Sequence, residues 1–248
     1  MKHFVRRMQA LAASLVVVTA GLQAQKAPRD MDRFIDQLMK KMTLEEKIGQ
    51  LFVNMVANAD ERRPEAIKAV LSTYHPGAIR YHNAPKEELW EMAKNLQEYS
   101  KIPLLIASNC EMGGNGGVNE GTTLANGAAM AAMDSEAEVR RMAAISAKES
   151  EAVGCNWNFA PVVDLTYNWR NTIVQLRAFN DSPEDVIRYG KAFFEGMRTK
   201  NFATCMKHFP GDGTEENDQH LIMGINGMSA EEWDESFGKV YKALIDEG

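Results

Sequence analysis

The sequence predicts an α/β protein in which parallel strands alternate with single helices. Five short apolar runs recur along the chain, and a capped or amphipathic helical segment separates successive runs. Strands joined in this way form βαβ units with right-handed crossovers. The composition, with 45% apolar and 25% charged residues, is that of a globular protein and excludes the disordered, fibrous and disulfide-dense classes.

The charge balance and the cysteines exclude further classes. The chain carries 28 Lys and Arg against 34 Asp and Glu, a formal net charge of −6. Nucleic acids and anionic membranes require clustered basic residues, so we expect neither as a partner. Cys110, Cys155 and Cys205 form no CxxC pair, which argues against a zinc ribbon or a redox dithiol. We predict three small buried residues.

The N-terminus has the layout of a secretory signal peptide. Three basic residues precede the apolar run 11–20, and small residues follow it. The run is too short to span a bilayer, which needs about 20 residues. We therefore predict a signal peptide over residues 1–24, cleaved after Ala24 or, alternatively, Ala20. Residues 25–248 would then form one exported domain, periplasmic or extracellular, without a membrane anchor.

Capping residues predict where the first helices begin. Thr43 and Glu46 have the spacing of a capping box. Pro64 fits the first turn of a helix that runs to about Thr73. Pro85 opens another helix, whose predicted buried face consists of Leu89, Met92, Ala93, Leu96 and Tyr99.

The later helices are delimited in the same way. We predict that Asp134 caps a helix that runs to about Val153 and that Gly154 ends it. Ser182 and Pro183 begin the next helix. Ser229 and Glu232 form a second capping box, which starts a final helix running almost to residue 248.

The strands predicted between these helices are residues 51–56, 77–81, 103–108, 155–163 and 203–206. The first of them is predicted to be buried. Long polar loops follow strands three, four and five, over about 109–133, 164–181 and 208–228. Such loops, at the carboxyl ends of parallel strands, are where α/β proteins place their chemistry.

Two basic side chains leave the end of strand five together. Lys207 and His208 point into a shared pocket in this interpretation, and both can donate hydrogen bonds to hydroxyl groups. The alternative is a solvated Lys and a His that satisfies nearby backbone groups. For this segment alone the two interpretations have equal weight.

A short Asp-x-His segment follows in the same loop. Asp218 and His220 lie two residues apart and would share one side of an extended segment. A carboxylate that orients an imidazole suits a general acid/base near neutral pH. By itself the pattern favours a solvated loop, but its closeness to Lys207 and His208 favours catalysis.

No metal or other cofactor is predicted. Four candidate ligands, His208, Asp212, Asp218 and His220, match no standard metal-binding spacing. The glycine-rich run 111–117 lacks the Lys-Ser/Thr pair of a phosphate-binding loop and the spacing of a dinucleotide fingerprint.

Polar residues of the loops that follow strands three and four are candidate sugar ligands. Glu111 and Asn115 could bind hydroxyls. Arg177 is a further candidate, with a surface ion pair as its alternative. Trp169 and Trp157 could stack on a sugar face, although a strand residue such as Trp157 is more often part of the core.

Taken together, six segments resemble glycoside hydrolase family 3, in the branch that contains β-N-acetylglucosaminidases. They follow the family order and extend from residue 42 to the end of the chain. The matching segments are MTLEEKIGQL (42–51), ExGG (111–114), NFAPVVD (158–164), RAF (177–179), KHFPG (207–211) and DQH (218–220).

This resemblance implies a TIM-type (β/α)8 barrel that removes terminal β-linked N-acetylhexosamine from carbohydrates with retention. His220 would be the acid/base and Asp218 would orient it. The implied ligands of the sugar hydroxyls are Arg177, Lys207, His208, Asn109 and Glu111. Two positions depart from the family pattern. Asn109 stands where the family usually has Asp, and Asp212 where glucosaminidases often have His.

The resemblance also implies a nucleophilic Asp on a later strand. Only about five of the eight expected βα units are present, so we predict an incomplete sequence that is inactive alone, with its nucleophile beyond residue 248. The alternatives are a β-glucosidase of the same family and a non-catalytic sugar-binding remnant. A neutral imidazole repels phosphate less than a carboxylate does, so phosphorolysis is a further alternative to hydrolysis.

Overall fold

The computed structural model describes residues 31–200 and 202–247, which divide into two compact units, one ending at Lys47 and one beginning at Ile48. The predicted signal peptide lies outside the described residues. In the first unit, helix α1 spans Met31–Lys41. The capping box of the next helix is confirmed, because Thr43 N–H donates to Glu46 Oε2 at 3.0 Å and Glu46 N–H donates to Thr43 Oγ1 at 3.2 Å.

The second unit contains a parallel sheet of five strands, in which the order in space equals the order along the chain. All five predicted strands are present, although each is shorter than predicted. They are β1 (Val53–Val56), β2 (Ala78–Tyr81), β3 (Leu105–Ser108), β4 (Trp157–Asn158) and β5 (Ala203–Thr204).

Helices separate the strands as predicted. Helix α2 spans Leu44–Gly49 and precedes β1. The crossover helices are α3 (Pro64–Tyr74), α4 (Lys86–Tyr99), the consecutive α5 (Gly127–Ala132) and α6 (Glu136–Glu151), and α7 (Pro183–Arg198). After β5 come α8 (Ala230–Trp233), a π turn (Asp234–Gly238) and α9 (Lys239–Ile245). These are five consecutive βα units, which agrees with the start of a (β/α)8 barrel.

The core lies between the helices and one face of the sheet. Ile79 and Ile106 are paired in register and are fully buried against Leu89, Met92 and Leu96 of α4. Residues alternate between the two faces of a strand. In the neighbouring register row, Val53 and Leu105 accordingly face away from this core and are 45% and 41% exposed, whereas the small Ala78 between them is buried.

Several expectations about individual elements are wrong. The first strand is not buried, because only Val56 of 51–56 is. Asp134 does not cap α6: Ser135 does, by accepting from Glu138 N–H, and the carboxylate of Asp134 pairs with Arg188. Adjacent Asp and Ser are both good caps, so the sequence left two registers open.

Two further corrections concern strand four and a cysteine. Strand β4 ends early because Pro161 has no N–H to donate, and pairing resumes as a single bridge between Val162 and Lys207. Cys110 and Cys155 are buried as predicted, but Cys205 is only partly buried. None of the helices within residues 31–200 and 202–247 has the length and apolar character of a membrane-spanning segment.

Candidate active site

The candidate site is built on the loops that follow β3, β4 and β5. These strands are neighbours and parallel, so their carboxyl ends meet at one edge of the sheet. The bridge between Val162 and Lys207 extends the pairing of the last two strands into this edge. Residues separated by nearly a hundred positions in sequence therefore come into contact there.

A buried amide fixes the loop after β3. Asn158, at the end of β4, is fully buried, and its Oδ1 accepts from Cys110 N–H at 2.8 Å while its Nδ2 donates to Cys110 O at 3.2 Å. This bidentate contact holds the backbone between Asn109 and Glu111. The sequence interpretation gave Asn158 no role of its own. The available clue was a polar residue at the centre of an apolar strand, since buried polar groups need partners.

Lys207 reaches from the end of β5 to the loop after β3. Its Nζ donates to Asn109 Oδ1 at 2.6 Å and lies 2.6 Å from Glu111 Oε1. The side chains of Lys207 and Glu111 are only 14% and 11% exposed, so this ion pair is largely withdrawn from water. The structure thus brings three predicted ligands into direct contact.

Arg177 adds a second cation to the same carboxylate. Its Nε and Nη2 donate to the two oxygens of Glu111 at 2.9 and 2.7 Å, a bidentate arrangement that fixes both partners. Its Nη1 donates to Ile173 O, and its Nη2 lies 3.3 Å from His208 Nε2. All five predicted sugar ligands therefore belong to one network, consisting of Asn109, Glu111, Arg177, Lys207 and His208.

The two cations dominate the electrostatics of this network. Burial alone would raise the pKa of Glu111, but the hydrogen bonds and charges of Arg177 and Lys207 outweigh it and lower the pKa to about 2. The hydrogen bonds that Arg177 donates to Glu111 raise the pKa of Arg177. Burial lowers the pKa of Lys207, although the charge of Glu111 opposes that change.

The Asp218–His220 pair is formed, but not as an extended segment. His220 Nδ1 lies 2.8 Å from Asp218 Oδ1, and His220 N–H donates to the same oxygen at 2.9 Å. The segment is a turn, because Leu221 and Ile222 N–H both donate to Asp218 O. The expectation of extended geometry is therefore wrong, although the contact that it predicted is present.

The exposed dyad is separate from the buried network. The His220 side chain is 78% exposed, and within residues 31–200 and 202–247 no hydrogen bond or ion pair joins it to Lys207, Arg177 or Glu111. The main-chain N–H of His220, followed by its side chain, lowers the pKa of Asp218. Glu215 closes the base of this loop by accepting from Ile225 N–H at 2.8 Å.

The remaining candidate sugar ligands are Asn115, Trp169 and Trp157. The Oδ1 of Asn115 is buried without a hydrogen-bond partner among the described residues. Trp169 is 75% exposed beside Arg170, and Trp157 packs edge-on against Phe159. No three His, Cys, Asp or Glu side chains in the described ranges are grouped so that they could hold a metal ion.

Comparison with known proteins identifies the class to which this site belongs. Residues 43–248 match the glycosyl hydrolase family 3 N terminal domain, and the chain belongs to this family. It is 38% identical over 210 residues to a "Beta-N-acetylglucosaminidase/beta-glucosidase" of Cellulomonas fimi, an alignment that covers 85% of this chain and 37% of the relative.

Two solved structures share the fold. "Beta-glucoside phosphorylase BglX bound to 2FGlc" is 35% identical with a TM-score of 0.83 over 92% of this chain and 41% of that one. A family 3 beta-N-acetylglucosaminidase from Paenibacillus sp. str. FPU-7 is 26% identical with a TM-score of 0.75 over 84% of this chain and 40% of that one. The chain thus spans about two fifths of the length of these three relatives.

Replacement of Glu111 tests the network through the pH dependence of stability. The folded-state pKa of about 2 lies below the ordinary 4.5, so the charged carboxylate stabilises the folded state fully above pH 4.5 and progressively less as the pH falls towards 2. Glu111→Gln should therefore lower the free energy of unfolding by on the order of 3 kcal/mol near pH 7, and by less near pH 3.

Urea unfolding of both proteins between pH 3 and pH 7 measures this difference. Glu65→Gln, an exposed glutamate in the first turn of α3, is the matched control and should change stability by less than about 0.5 kcal/mol. A Glu111→Gln effect that stays constant over the whole pH range would contradict the prediction.

Proposed function

We propose that the protein is a glycoside hydrolase that removes terminal β-linked N-acetylhexosamine residues from glycans or cell-wall fragments with retention of configuration. The observation that carries this proposal is the contact of 2.8 Å between Asp218 and His220, in the loop that begins with Lys207 and His208. Membership of family 3 and the C. fimi relative support it.

His220 is proposed as the acid/base. Asp218 accepts from Nδ1, which leaves the second ring nitrogen, Nε2, without a partner in the described residues. That nitrogen can protonate a departing glycosidic oxygen and then take a proton from water. The lowered pKa of Asp218 keeps its carboxylate charged at neutral pH, where it orients the ring and stabilises the imidazolium.

The buried network is proposed to bind the terminal sugar. Its ion pairs hold Arg177 and Lys207 in fixed positions before the substrate arrives, so little side-chain entropy is lost on binding. His208, the third member to face the site, is 37% exposed. Asn109 and Glu111 then act chiefly by orienting the two cations.

Retention also needs a carboxylate nucleophile. Asp164, the acidic residue nearest the network, is an unsuitable candidate because it is fully buried and its oxygens already accept from His208 and Asp212. Asp164 is therefore not proposed as the nucleophile. The sugar preference is tested by comparing activity on two aryl substrates, the β-N-acetylglucosaminide and the β-glucoside.

Substitution of His220 tests the acid/base role in the intact protein. With His220→Ala, kcat/KM for methyl β-N-acetylglucosaminide should fall by about 10²–10⁴, because its alcohol leaving group needs a proton. The fall for the 4-nitrophenyl glycoside should be much smaller, since nitrophenolate leaves without protonation.

The matched control is His75→Asn, at the C-cap of α3 and the amino-terminal end of β2. Its backbone is left-handed with φ 49°, which Asn tolerates. This variant should retain wild-type kcat/KM on both substrates. Equal losses on both substrates in His220→Ala would remove His220 from proton transfer. Wild-type protein inactive on both sugars would favour the alternative, a non-catalytic sugar-binding protein.

Phosphorolysis is the second candidate function. The structure named as a beta-glucoside phosphorylase favours it, and a neutral imidazole at position 220 would admit a phosphate anion more readily than a carboxylate would. In this reaction a phosphate oxygen attacks the anomeric carbon of the glycosyl-enzyme, and the carboxylate nucleophile departs.

Product analysis with and without inorganic phosphate decides between the two reactions. Phosphorolysis predicts a glycosyl phosphate whose yield rises with phosphate concentration while the yield of free sugar falls. Sulfate at equal ionic strength is the control. Free sugar as the sole product at every phosphate concentration would leave hydrolysis as the reaction.

Export is also proposed, on the basis of the basic and apolar layout of residues 1–24. Expression in a bacterial host, followed by N-terminal sequencing of the periplasmic fraction, should give a mature chain that begins at Gln25 or Gly21. Full-length protein confined to the cytoplasm would contradict export.

A further inference from the structure

A second carboxylate–imidazole pair lies behind the candidate sugar site. Asp164 follows β4 and is fully buried, and Asp164 Oδ2 lies 2.6 Å from His208 Nδ1. His208 N–H donates to the same carboxylate at 3.1 Å, and Asp212 N–H donates to Oδ1 at 2.8 Å. Three donors thus converge on one buried carboxylate, which holds the backbone and the ring of His208 together.

The other ring nitrogen of His208 faces a group that can only donate. Arg177 Nη2 lies 3.3 Å from His208 Nε2. A guanidinium has no lone pair to offer and stays protonated in proteins. The contact therefore requires a lone pair on Nε2, and the ring proton must be on Nδ1, where Asp164 accepts it.

This assignment matters because it decides whether His208 can accept a hydrogen bond from a sugar. A sugar hydroxyl needs both a donor and an acceptor, while Lys207 and Arg177 supply donors alone. Asn109 Oδ1 already accepts from Lys207, and both oxygens of Glu111 already accept from Arg177. Asn109 Oδ1 and Glu111 Oε2 each keep a second lone pair, whereas His208 Nε2 has only one, so a hydroxyl can use Nε2 only by replacing Arg177 as its donor.

We infer that Asp164 is a positioning residue: it holds His208 in the Nδ1–H tautomer, so that the single lone pair of Nε2, which faces Arg177 in this structure, can accept a hydrogen bond from a hydroxyl of the bound sugar in place of Arg177. The tautomer follows from contacts within the protein alone. The hydroxyl contact rests on the proposed function.

Nitrogen-15 NMR of histidine-labelled protein tests the tautomer directly. Long-range proton–nitrogen correlations should show a protonated Nδ1 and an unprotonated Nε2 for His208, assigned by the signal lost in His208→Asn. A proton on Nε2 in the neutral wild-type ring would overturn the inference without any need for a variant at position 164.

Two Asp→Asn variants provide reciprocal controls for positioning. Asp164→Asn should shift the His208 signals towards the other tautomer and leave those of His220 unchanged, whereas Asp218→Asn should do the reverse. A His208 spectrum that is unchanged in Asp164→Asn would reduce Asp164 to a structural role.

Sugar binding tests the acceptor without disturbing Asp164. His208→Asn retains a donor near the Nδ1 position but loses the acceptor, so calorimetry should show the affinity for N-acetylglucosamine falling about tenfold or more. His208→Gln, whose amide oxygen reaches the Nε2 position, should lose less. Asp246→Asn, an exposed residue at the C-cap of α9, is the control and should match the wild type.

The outcomes separate this inference from the proposed function. If His208→Asn and His208→Gln lose affinity equally, the acceptor role is wrong although the sugar site stands. If wild-type protein binds neither N-acetylglucosamine nor glucose, the proposed function fails while the tautomer result is unaffected.

Discussion

The carboxylate of Glu111 is held between two cations from other loops, and the geometry of the site depends on this contact. Arg177 contacts both of its oxygens and Lys207 contacts one, so the loops after β3, β4 and β5 converge on a single side chain. A charge this far from water is costly unless it is paired and hydrogen-bonded. Glu111 in turn fixes the direction in which Arg177 and Lys207 present their remaining N–H groups.

Two buried polar residues, Asn158 at the end of β4 and Asp164 after it, support the network. Asn158 holds the loop that carries Glu111, and Asp164 holds the segment that carries His208. Fully satisfied buried networks specify one arrangement of side chains. The environments of the two histidines differ accordingly. His208 is fixed against a buried carboxylate, whereas the side chain of His220 is 78% exposed, as the proposed acid/base role requires.

Local features of the fold were predictable because their causes are local. The capping boxes at Thr43 and Ser229 depend on residues three positions apart, and both formed as the sequence predicted. The five apolar runs became strands in the predicted order. The error at the exposed first strand arose because tertiary context decided its burial, whereas the early end of β4 has a local cause in Pro161. The cap of α6 was predicted wrongly for another reason: Asp134 and Ser135 are adjacent, and both residue types are good caps.

The sequence by itself determined the alternation of helices and strands, the family and the residue types available for chemistry. It also identified the Asp218–His220 contact, since two residues of one turn are neighbours in any compact conformation. Only the tertiary structure decided that Glu111 pairs with Arg177, 66 positions away, and that Lys207 reaches Asn109, 98 positions away. The roles of Asn158 and Asp164 in holding the two loops were also visible only in the tertiary structure. The physical reason is that such contacts depend on which strands lie side by side, and that order is set by packing of the whole sheet.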